Sequence, residues 1–288
     1  MEIAVISGKG GTGKSSITAA FASLDKNIVL ADCDVDAANL YLIFQPENER
    51  EDAFISGDKA LIDKDLCTNC GSCVNYCRFD AIHEINGEIS IYETACDGCK
   101  LCSRICPAGA ITMVQEDRSR LYAGNFRNGK MVYGRLAPGE ENSGRLVDVV
   151  RDTAKDMLKE TGFRDIIIDG PPGIGCPVIS TITGVDRVVI VTEPTLSGLH
   201  DLERTVEVVS RFRIVPYIII NKADLNNEMS DEIENFCQKR NVKVVARIPF
   251  EQLFVEAMID CQSIVEKAPK SEVTKLLSKA FLEIKSNN

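Results

Sequence analysis

The chain has 288 residues, enough for one or two domains at roughly 100–200 residues each. A hydrophobic share of 44% and a charged share of 26% are ordinary for a globular protein, which excludes a disordered tail, a collagen-like fibre and a coiled coil. The net charge of −10 argues against nucleic acid as the main partner, because nucleic-acid binders usually carry a basic face.

The first residues run directly into an apolar strand, Ile3–Ile6, with no basic segment or cleavage site before it. The longest apolar runs have the length of strands and fall far short of the ~20 residues that cross a bilayer. We therefore expect a cytoplasmic protein. In that reducing compartment, the twelve cysteines are more typical of metal ligands or catalytic groups than of disulfides.

A glycine-rich loop follows the first strand and matches the phosphate-binding pattern G-x-x-x-x-G-K-[ST] over Gly8–Ser15. Main-chain N–H groups of such a loop bind phosphate oxygens, and the helix that follows directs its positive end at them. Lys14 is predicted to contact the β- and γ-phosphates of a nucleotide, and Ser15 to bind Mg²⁺. The predicted nucleotide contacts in this segment are Gly8, Gly10, Gly11, Thr12, Gly13, Lys14, Ser15 and Ser16.

Three acidic residues alternate after the second predicted strand, Ile28–Ala31. Asp32, Asp34 and Asp36 lie at the carboxyl end of a strand, where α/β sheets bind their ligands. The simpler alternative is a solvated acidic loop.

Eight cysteines lie in one forty-residue window as two copies of the pattern C-x₂-C-x₂-C-x₃-C. This doubled spacing is that of two-cluster bacterial ferredoxins, in which three close thiolates and a fourth from the other half hold each [4Fe-4S] cluster. Cluster A is assigned Cys67, Cys70, Cys73 and Cys106. Cluster B is assigned Cys96, Cys99, Cys102 and Cys77.

The main alternative for these cysteines is structural zinc, although zinc motifs normally use two C-x₂-C pairs. Arg78 departs from the repeat, because the second half has Pro107 in that place. We interpret Arg78 as a solvated surface residue rather than as a partner of cluster charge. The window, residues 57–118, carries six basic and ten acidic residues and is predicted to be a domain inserted into a larger one formed by residues 1–56 and 119–288.

Strands and helices alternate along the rest of the chain. Further strands are predicted at Asp165–Asp169, Val188–Thr192, Val215–Ile220 and Val242–Ile248, and helices at Leu146–Thr161, Asp201–Phe212 and Asp231–Lys239. The alternation predicts an α/β domain with a mostly parallel sheet and helices on both faces, and the inserted domain is predicted to be a small α+β fold.

Two of these strands end in polar segments. Asp169 closes a buried apolar strand, and the segment from Ile166 to Gly173 resembles a Walker B strand with switch II. The resemblance implies that Asp169 aims its carboxylate at bound Mg²⁺ and that Gly173 lets the following loop reach the γ-phosphate. Asn221-Lys222-Ala223-Asp224 follows another strand. Such a segment can read guanine in GTPases, so these residues alone do not fix the base.

The loop Gly8–Ser15, with Lys9 in its second place, resembles the phosphate-binding loop of the MinD/ParA/nitrogenase iron protein class of ATPases. The similarity covers the chain outside the cysteine window, and the whole arrangement resembles MinD-superfamily ATPases with an inserted ferredoxin domain. The resemblance implies a homodimer in which Lys9 reaches the nucleotide of the second subunit. It also implies that Asp34 orients or deprotonates the attacking water, and that Asp32 or Asp36 helps to hold the Mg²⁺ shell.

The same resemblance assigns the base. Asn221 would contact adenine, and the segment around Pro249 would form a second wall of the base pocket, which favours ATP over GTP. The catalytic residues implied are Lys9, Lys14, Asp34 and Asp169.

Cys176 lies seven residues after Asp169, where the nitrogenase iron protein carries one ligand of its dimer-bridging cluster. Asn142 stands where the other ligand would be, so a dimer would offer two thiolates instead of the usual four. No permanent bridging cluster is predicted, and a labile one with non-cysteine ligands stays an open alternative. The remaining cysteines are interpreted as buried and structural: Cys33, Cys237 and Cys261.

An amphipathic helix is predicted at the C-terminal end of the sequence. Its apolar face contains Val273, Leu276, Leu277, Ala280, Phe281 and Ile284. Members of the MinD branch use such a helix on membranes, but packing on the protein's own sheet is the commoner use of an apolar stripe and is the one we expect.

These features predict a dimeric ATPase that couples its nucleotide state to electron transfer between the inserted clusters and a protein partner. One alternative is a carrier that assembles clusters or delivers them to apo-proteins, although the C-terminal C-x-x-C of Mrp-like carriers is lacking in this sequence. Another is a MinD-like positioning or scaffold switch whose ferredoxin domain is only structural.

Overall fold

The computed structural model describes residues 1–140 and 142–286, which form two compact units. The sheet unit consists of Met1–Glu51, Leu121–Gly134 and Ser143–Asn288. The cysteine unit consists of Asp52–Arg120 and Arg135–Asn142. The predicted insertion, residues 57–118, lies inside the cysteine unit, which is wider at both ends and also takes in Arg135–Asn142.

Secondary structure alternates along most of the chain. The strands are β1 (Glu2–Ser7), β2 (Ile28–Asp32), β3 (Glu47–Phe54), β4 (Asp58–Ile62), β5 (Ile82–Ile85), β6 (Glu88–Ile91), β7 (Ile111–Gln115), β8 (Ser119–Phe126), β9 (Gly129–Arg135), β10 (Asp165–Pro172), β11 (Arg187–Thr192), β12 (Tyr217–Asn221) and β13 (Lys243–Ile248). The helices are α1 (Lys14–Leu24), α2 (Leu40–Phe44), α3 (Ser72–Tyr76), α4 (Leu101–Ile105), α5 (Ser143–Thr161), α6 (Cys176–Ile182), α7 (Leu196–Arg211), α8 (Asn227–Lys239), α9 (Leu253–Ile259), α10 (Ile264–Lys267) and α11 (Glu272–Ser286).

The large sheet has the strand order β13-β12-β11-β1-β10-β2-β9-β8-β3. β1 runs parallel to β10 and β11, and β2 runs parallel to β10 and β9. Asp32 is paired in register with Asp169 on one side and with Tyr133 on the other. The carboxyl ends of β1, β2 and β10 therefore meet at one edge, which is where parallel α/β sheets bind ligands.

The strands at one end of this sheet, β3, β8 and β9, were not predicted. β3 is strongly polar and lacks an apolar run, because an edge strand is not buried on both faces. Side-chain pairs link these strands instead: Glu49 accepts from Asn125 Nδ2 at 2.6 Å and pairs with Lys130 Nζ at 2.8 Å. Such cross-strand pairs stabilise the exposed edge strand β3, whereas β8 and β9 also bury Phe126, Met131 and Tyr133 in the core.

The C-terminal helix α11 packs its apolar face on the sheet unit, as predicted. Val273, Leu277, Ala280, Phe281 and Ile284 are buried, and Leu276 is partly buried against the same core. The Phe281 ring stacks on Phe21 of α1 with 5.0 Å between the ring centroids.

The structural cysteines follow the prediction in two cases out of three. Cys33 and Cys237 are buried in the sheet unit, and burial raises the pKa of Cys237 to about 12. The prediction was wrong for Cys261, which is only half-buried. Cys261 lies in a left-handed turn after α9, with φ of 54°, and its N–H donates to Met258 O at 3.1 Å.

The cysteine unit is a small α+β fold in two similar halves. β4 pairs antiparallel with β7, and β5 pairs antiparallel with β6. Each half has a cysteine loop, then a short helix, α3 or α4, and then a strand, β5 or β7. The buried centre between them is formed by Ala60, Cys73, Ile82, Ile89 and Ile111. Across both units, none of the helices within residues 1–140 and 142–286 has the length and apolar character needed to cross a membrane.

Candidate functional site

In the loop between β1 and α1, two glycines lie so close to neighbouring residues that a side chain would not fit. Gly13 has φ of +89°, and a Cβ added there would lie 2.3 Å from Asn221 Nδ2. A Cβ on Gly8 would lie 2.6 Å from Asp201 Cβ. Both positions therefore need glycine for close packing against β12 and α7, and Gly13 needs it also for its left-handed backbone.

Charged and hydroxyl side chains converge beside this loop. Lys14 Nζ lies 2.9 Å from Asp169 Oδ2 and 3.3 Å from Asp34 Oδ2. Ser15 Oγ donates to Asp169 Oδ2 at 2.7 Å, and Thr18 Oγ1 donates to Asp169 Oδ1 at 2.7 Å. An ammonium that can bind a phosphate thus lies next to hydroxyl and carboxylate oxygens that can bind a cation.

Burial and charge act in opposite directions on this group. Burial by itself would lower the pKa of Lys14, but the charges of Asp169 and Asp34 outweigh it, so the pKa of Lys14 is raised. Burial raises the pKa of Asp34, against the attraction of Lys14. The ammonium therefore stays charged in a place where an isolated lysine would tend to lose its proton.

Asp32 is fully buried and binds main chain. Its carboxylate accepts N–H groups from Asp34, Asn39 and Leu40, each at 3.1 Å, which fixes the loop after β2. Burial, with the charge of Asp169, raises the pKa of Asp32 to about 7 despite the opposing effect of Lys14. Asp36 is exposed and lies on the rim of the cleft.

The cleft above the loop brings together most of the predicted phosphate contacts. Its lining includes Gly10, Gly11, Thr12, Gly13, Lys14, Ser15, Ser16, Asp34 and Asp36, together with Pro171, Pro172 and Met258. Of the predicted contacts, Gly8, Gly173, Asn221 and Pro249 do not line it. Gly173 donates its N–H to Ser7 O at 2.8 Å, so it fastens the end of β10 to β1.

Lys9 is bound within its own chain by residues that sequence reasoning missed. Its Nζ lies 2.7 Å from Glu193 Oε1 and donates to Thr195 Oγ1 at 3.1 Å and Ser197 Oγ at 2.9 Å. Lys222 Nζ shares Glu193 at 2.9 Å. In the sequence, the one indication of a role for Glu193 is its position directly after β11, the strand next to β1.

The segment Asn221–Asp224 braces the phosphate loop. Asn221 Nδ2 donates to Thr12 O at 2.8 Å, and Lys222 Nζ donates to Gly11 O at 2.9 Å. Asp224 Oδ1 accepts the N–H of Phe250 at 2.5 Å. The polar groups that could read a guanine are thus bound to the protein main chain.

The eight clustered cysteines surround two cavities in the cysteine unit. One cavity is lined by Cys67, Cys70, Cys73 and Cys106, the four residues assigned to cluster A. The other is lined by Cys77, Cys96, Cys99 and Cys102, the four assigned to cluster B, together with Cys73. Among the residues described, no three His, Cys, Asp or Glu side chains are gathered as a site for a single metal ion.

Main-chain N–H groups point at the sulfurs in a way that repeats between the halves. Ala81 N donates to Cys77 Sγ at 3.4 Å, and Ala110 N donates to Cys106 Sγ at 3.3 Å. Hydrogen bonds from the main chain and side chain of Ser72 lower the pKa of Cys70. Donors of this kind favour thiolates, the form in which cysteine binds metal.

Left-handed residues occupy the same three places in each cysteine loop. The first half uses Asn69, Gly71 and Asp80, with φ of 52°, 73° and 52°. The second half uses Gly98, Lys100 and Gly109, with φ of 68°, 65° and 62°. The two loops therefore have the same backbone conformation at these positions, although the residues there differ.

Cys176 is exposed at the first residue of α6. A Cβ added to Gly144 would lie 3.6 Å from Cys176 Cβ, so α5 and α6 are closely packed there. Asn142 donates from Nδ2 to Ser56 O at 2.6 Å within the cysteine unit.

Comparison with known proteins gives a family and a fold. The family model described as CbiA, the CobQ/CobB/MinD/ParA nucleotide binding domain, matches residues 3–264. An uncharacterized protein of Methanocaldococcus jannaschii is 40% identical over 230 residues, which are 79% of this chain and 80% of the relative. An iron-sulfur protein of Rhodospirillum rubrum is 40% identical over 52 residues, 17% of this chain and 27% of that protein.

A solved structure extends the likeness to three dimensions. The septum site-determining protein MinD of Pyrococcus horikoshii, complexed with Mg-ADP, matches with a TM-score of 0.59 and 18% identity. The match covers 99% of this chain and 96% of that one. At this identity the likeness shows the fold, and it confirms the predicted α/β architecture with a mostly parallel sheet.

Proposed function

Because the chain belongs to the CobQ/CobB/MinD/ParA family and is a P-loop ATPase of the MinD type, we propose that its nucleotide cycle controls electron transfer through two [4Fe-4S] clusters. The family match confirms the resemblance inferred from Gly8–Ser15. The observation that carries the proposal is the division of eight cysteines between two cavities in one unit of an ATPase.

ATP hydrolysis is proposed to use the charged group beside the phosphate loop. Lys14 neutralises the β- and γ-phosphates, and Ser15 with Asp169 holds Mg²⁺ and its water shell. Asp34, whose carboxylate lies 3.3 Å from Lys14 Nζ, orients the attacking water. Phosphoryl transfer depends mainly on positioning and charge neutralisation, which these residues supply.

ATP is proposed as the nucleotide in preference to GTP. Guanine recognition in GTPases needs a free carboxylate after the strand, but Asp224 here accepts the N–H of Phe250. Asn221 and Lys222 are bound to carbonyls of the phosphate loop. Their contacts support the loop, and we infer that adenine binding makes little use of them.

The cysteine unit fits two [4Fe-4S] clusters. Each cavity offers four thiolates around it, as a four-iron cage requires, and main-chain N–H groups donate to the sulfurs. Such clusters supply one-electron transfer at low potential. The 52-residue similarity to an iron-sulfur protein supports this reading of the unit.

A homodimer is proposed to complete the ATP site. Lys9 contacts Glu193 and two hydroxyls of its own chain, and we propose that it exchanges these for the nucleotide of a second copy. The exchange costs little free energy, because the Lys9 and Glu193 side chains are partly exposed, at 25% and 18%. An ion pair in that setting contributes about 1 kcal/mol or less.

The test is an anaerobic redox titration of the iron-loaded protein with ATP·Mg, with ADP·Mg and without nucleotide. We expect ATP to shift the midpoint of at least one cluster in wild type. In Lys14→Ala we expect the shift to disappear while iron content is kept, and in Lys26→Ala, an exposed lysine on the loop after α1, we expect it to persist. Midpoints independent of nucleotide in wild type would contradict the coupling.

Cluster delivery is the second candidate, and one observation favours it. Cys70 and Cys99, one in each predicted cluster set, are exposed, so an acceptor protein could reach them. Incubation of the loaded protein with an apo-ferredoxin separates the candidates. ATP-dependent loss of iron to the acceptor supports delivery, while retention of all iron through redox cycling supports electron transfer.

A further inference from the structure

The first two residues of β4 hold the loop of the cluster B cysteines. A Cβ on Gly98 would lie 2.2 Å from Asp58 O, so this loop packs directly on the β4 main chain. The Lys100 ammonium pairs with the Asp58 carboxylate. Lys59 Nζ donates to the carbonyl of Cys96 at 2.6 Å. Three contacts thus fasten one cysteine loop to Asp58 and Lys59.

Lys59 has a second acceptor in another part of the cysteine unit. Its Nζ also donates to Gly139 O at 3.1 Å, and the residue is only 7% exposed. Both acceptors are neutral carbonyls, so these hydrogen bonds do not cancel its positive charge. The charge of the Lys59 ammonium also acts on Glu116. Arg118 holds the pKa of Glu116 below its usual value, and Lys59 adds to that effect.

Gly139 belongs to the linker segment, defined here as residues 135–140, which is part of the cysteine unit. Gly139 has φ of +77°, and a Cβ added there would lie 2.9 Å from Thr94 Cα, two residues before Cys96. The Glu140 carboxylate accepts Ser119 Oγ at 2.7 Å and also Ser56 Oγ. The segment is therefore packed beside the start of the cluster B loop.

Both ends of the linker segment continue along the chain into elements of the nucleotide site. It follows β9, in which Tyr133 is paired in register with Asp32. It leads into α5, whose Gly144 packs on Cys176 soon after the end of β10. A change in β2 or β10 when nucleotide is bound or hydrolysed can thus reach this segment through the main chain.

We propose that Lys59 is a positioning residue that ties cluster B, and not cluster A, to the linker segment and so makes cluster B the nucleotide-responsive cluster. The inference rests on the proposed function. A buried ammonium next to a ligand residue favours the reduced, more negative form of a cluster, and its effect depends on where its acceptors hold it. The comparable lysine on the cluster A side, Lys64, is half exposed, pairs with Glu88 at 3.7 Å and contacts Ile89 and Ser90 rather than a cysteine.

The experiment compares Lys59→Met with Lys64→Met, which removes the same charge from the other half. Cysteine Cβ is labelled with ¹³C, and the hyperfine-shifted signals of each cluster are followed by NMR during redox titration with ATP·Mg or ADP·Mg. We expect Lys59→Met to lower the reduction equilibrium constant of cluster B on the order of tenfold and to remove its nucleotide response. Signals of the cluster A cysteines should keep their wild-type behaviour, and Lys59→Arg should restore the response of cluster B.

Iron content shows whether the variant has folded. If Lys59→Met does not hold its full iron, Gly139→Ala tests the same link without a change of charge, because its Cβ would displace the linker segment from Thr94. That variant should lose the nucleotide response of cluster B. A persistent response in the variant that folds, or an equal effect of Lys64→Met on cluster B, overturns the inference. A wild type with no nucleotide effect on either cluster instead refutes the proposed function.

Discussion

The two units hold their functional groups by different means. In the sheet unit, charged side chains hold one another: Lys14 is bound by Asp169 and Asp34, and Lys9 by Glu193. In the cysteine unit, main-chain N–H groups and left-handed turns position the sulfurs. Side-chain ion pairs can exchange partners through rotamer changes, whereas a loop built from main-chain contacts moves as a whole. The first construction suits a switch, and the second suits a fixed metal site.

The largest effect is expected when the carboxylate shared by Lys14, Ser15 and Thr18 loses its charge. Asp169→Asn keeps the size of the side chain but removes the charge that Lys14, Ser15 and Thr18 contact. We expect ATP turnover to fall by about a hundredfold or more, as measured by phosphate release, because catalysis here rests on placed charges. Asp156→Asn, on the exposed face of α5, is the matched control and should turn over ATP normally. Unchanged turnover in Asp169→Asn would refute the assigned role.

The next test concerns the metal sites proposed for the cysteine unit. Cys106→Ser removes the ligand that we propose crosses from the second half to cluster A, so iron content should fall from about eight to about four atoms per chain if the two proposed clusters are present. Cys261→Ser, half-buried in the sheet unit, should keep all the iron. Iron and labile sulfide analysis after anaerobic reconstitution measures both. Full iron in Cys106→Ser would show that the assignment of ligands to cluster A is wrong.

A smaller effect is expected at Glu193. Glu193→Gln weakens the contacts that keep Lys9 and Lys222 in their own chain, so the ATP-dependent dimer should become several-fold tighter, in line with a pair worth about 1 kcal/mol or less. Sedimentation at a series of concentrations measures the change. Glu207→Gln breaks an exposed pair with Arg211 in α7 and should have no effect on dimerisation. A weaker dimer in Glu193→Gln would argue that the contact supports the trans arrangement instead of competing with it.

Asp32 is expected to make the stability of the fold depend on pH. Its pKa in the folded protein is about 7, above the usual value of 3.8, so the folded state binds more protons than the unfolded state between these values. The contribution of Asp32 to the free energy of unfolding should therefore fall as pH rises from about 4 to about 7. Urea unfolding in buffer without Mg²⁺ should show this slope in wild type and a flatter one in Asp32→Asn. Equal slopes would contradict the shifted pKa.

Much of the sheet unit could be predicted because its signals are local. The central strands are buried on both faces and read as apolar runs such as Ile3–Ile6 and Asp165–Asp169. The strands β3, β8 and β9 at one end of the sheet were missed, and β3 gave no such signal because it is polar and lies at the edge. The grouping of the cysteines around two cavities could also be predicted, because the spacing of the repeat places three proposed ligands on one loop.

The contacts that sequence reasoning missed are all non-local. Thr18 reaches Asp169, Glu193 reaches Lys9, and Lys59 reaches Cys96 and Gly139. No spacing rule links such residues, because they meet only after strands from distant parts of the chain have paired. The predicted contact of Asn221 with adenine rested on the family resemblance, which did not reveal that the Asn221 amide donates to Thr12 O.

The left-handed places of the cysteine loops show what the two halves of the unit have in common. Asn69 corresponds to Gly98, Gly71 to Lys100 and Asp80 to Gly109, so each half has kept the dihedral angles and exchanged the residues. Lysine is tolerated at its place because its ammonium is bound by Asp58. The two halves therefore share a backbone path rather than a set of residues, and only at Gly98 does close packing also demand glycine, because a Cβ there would lie 2.2 Å from Asp58 O.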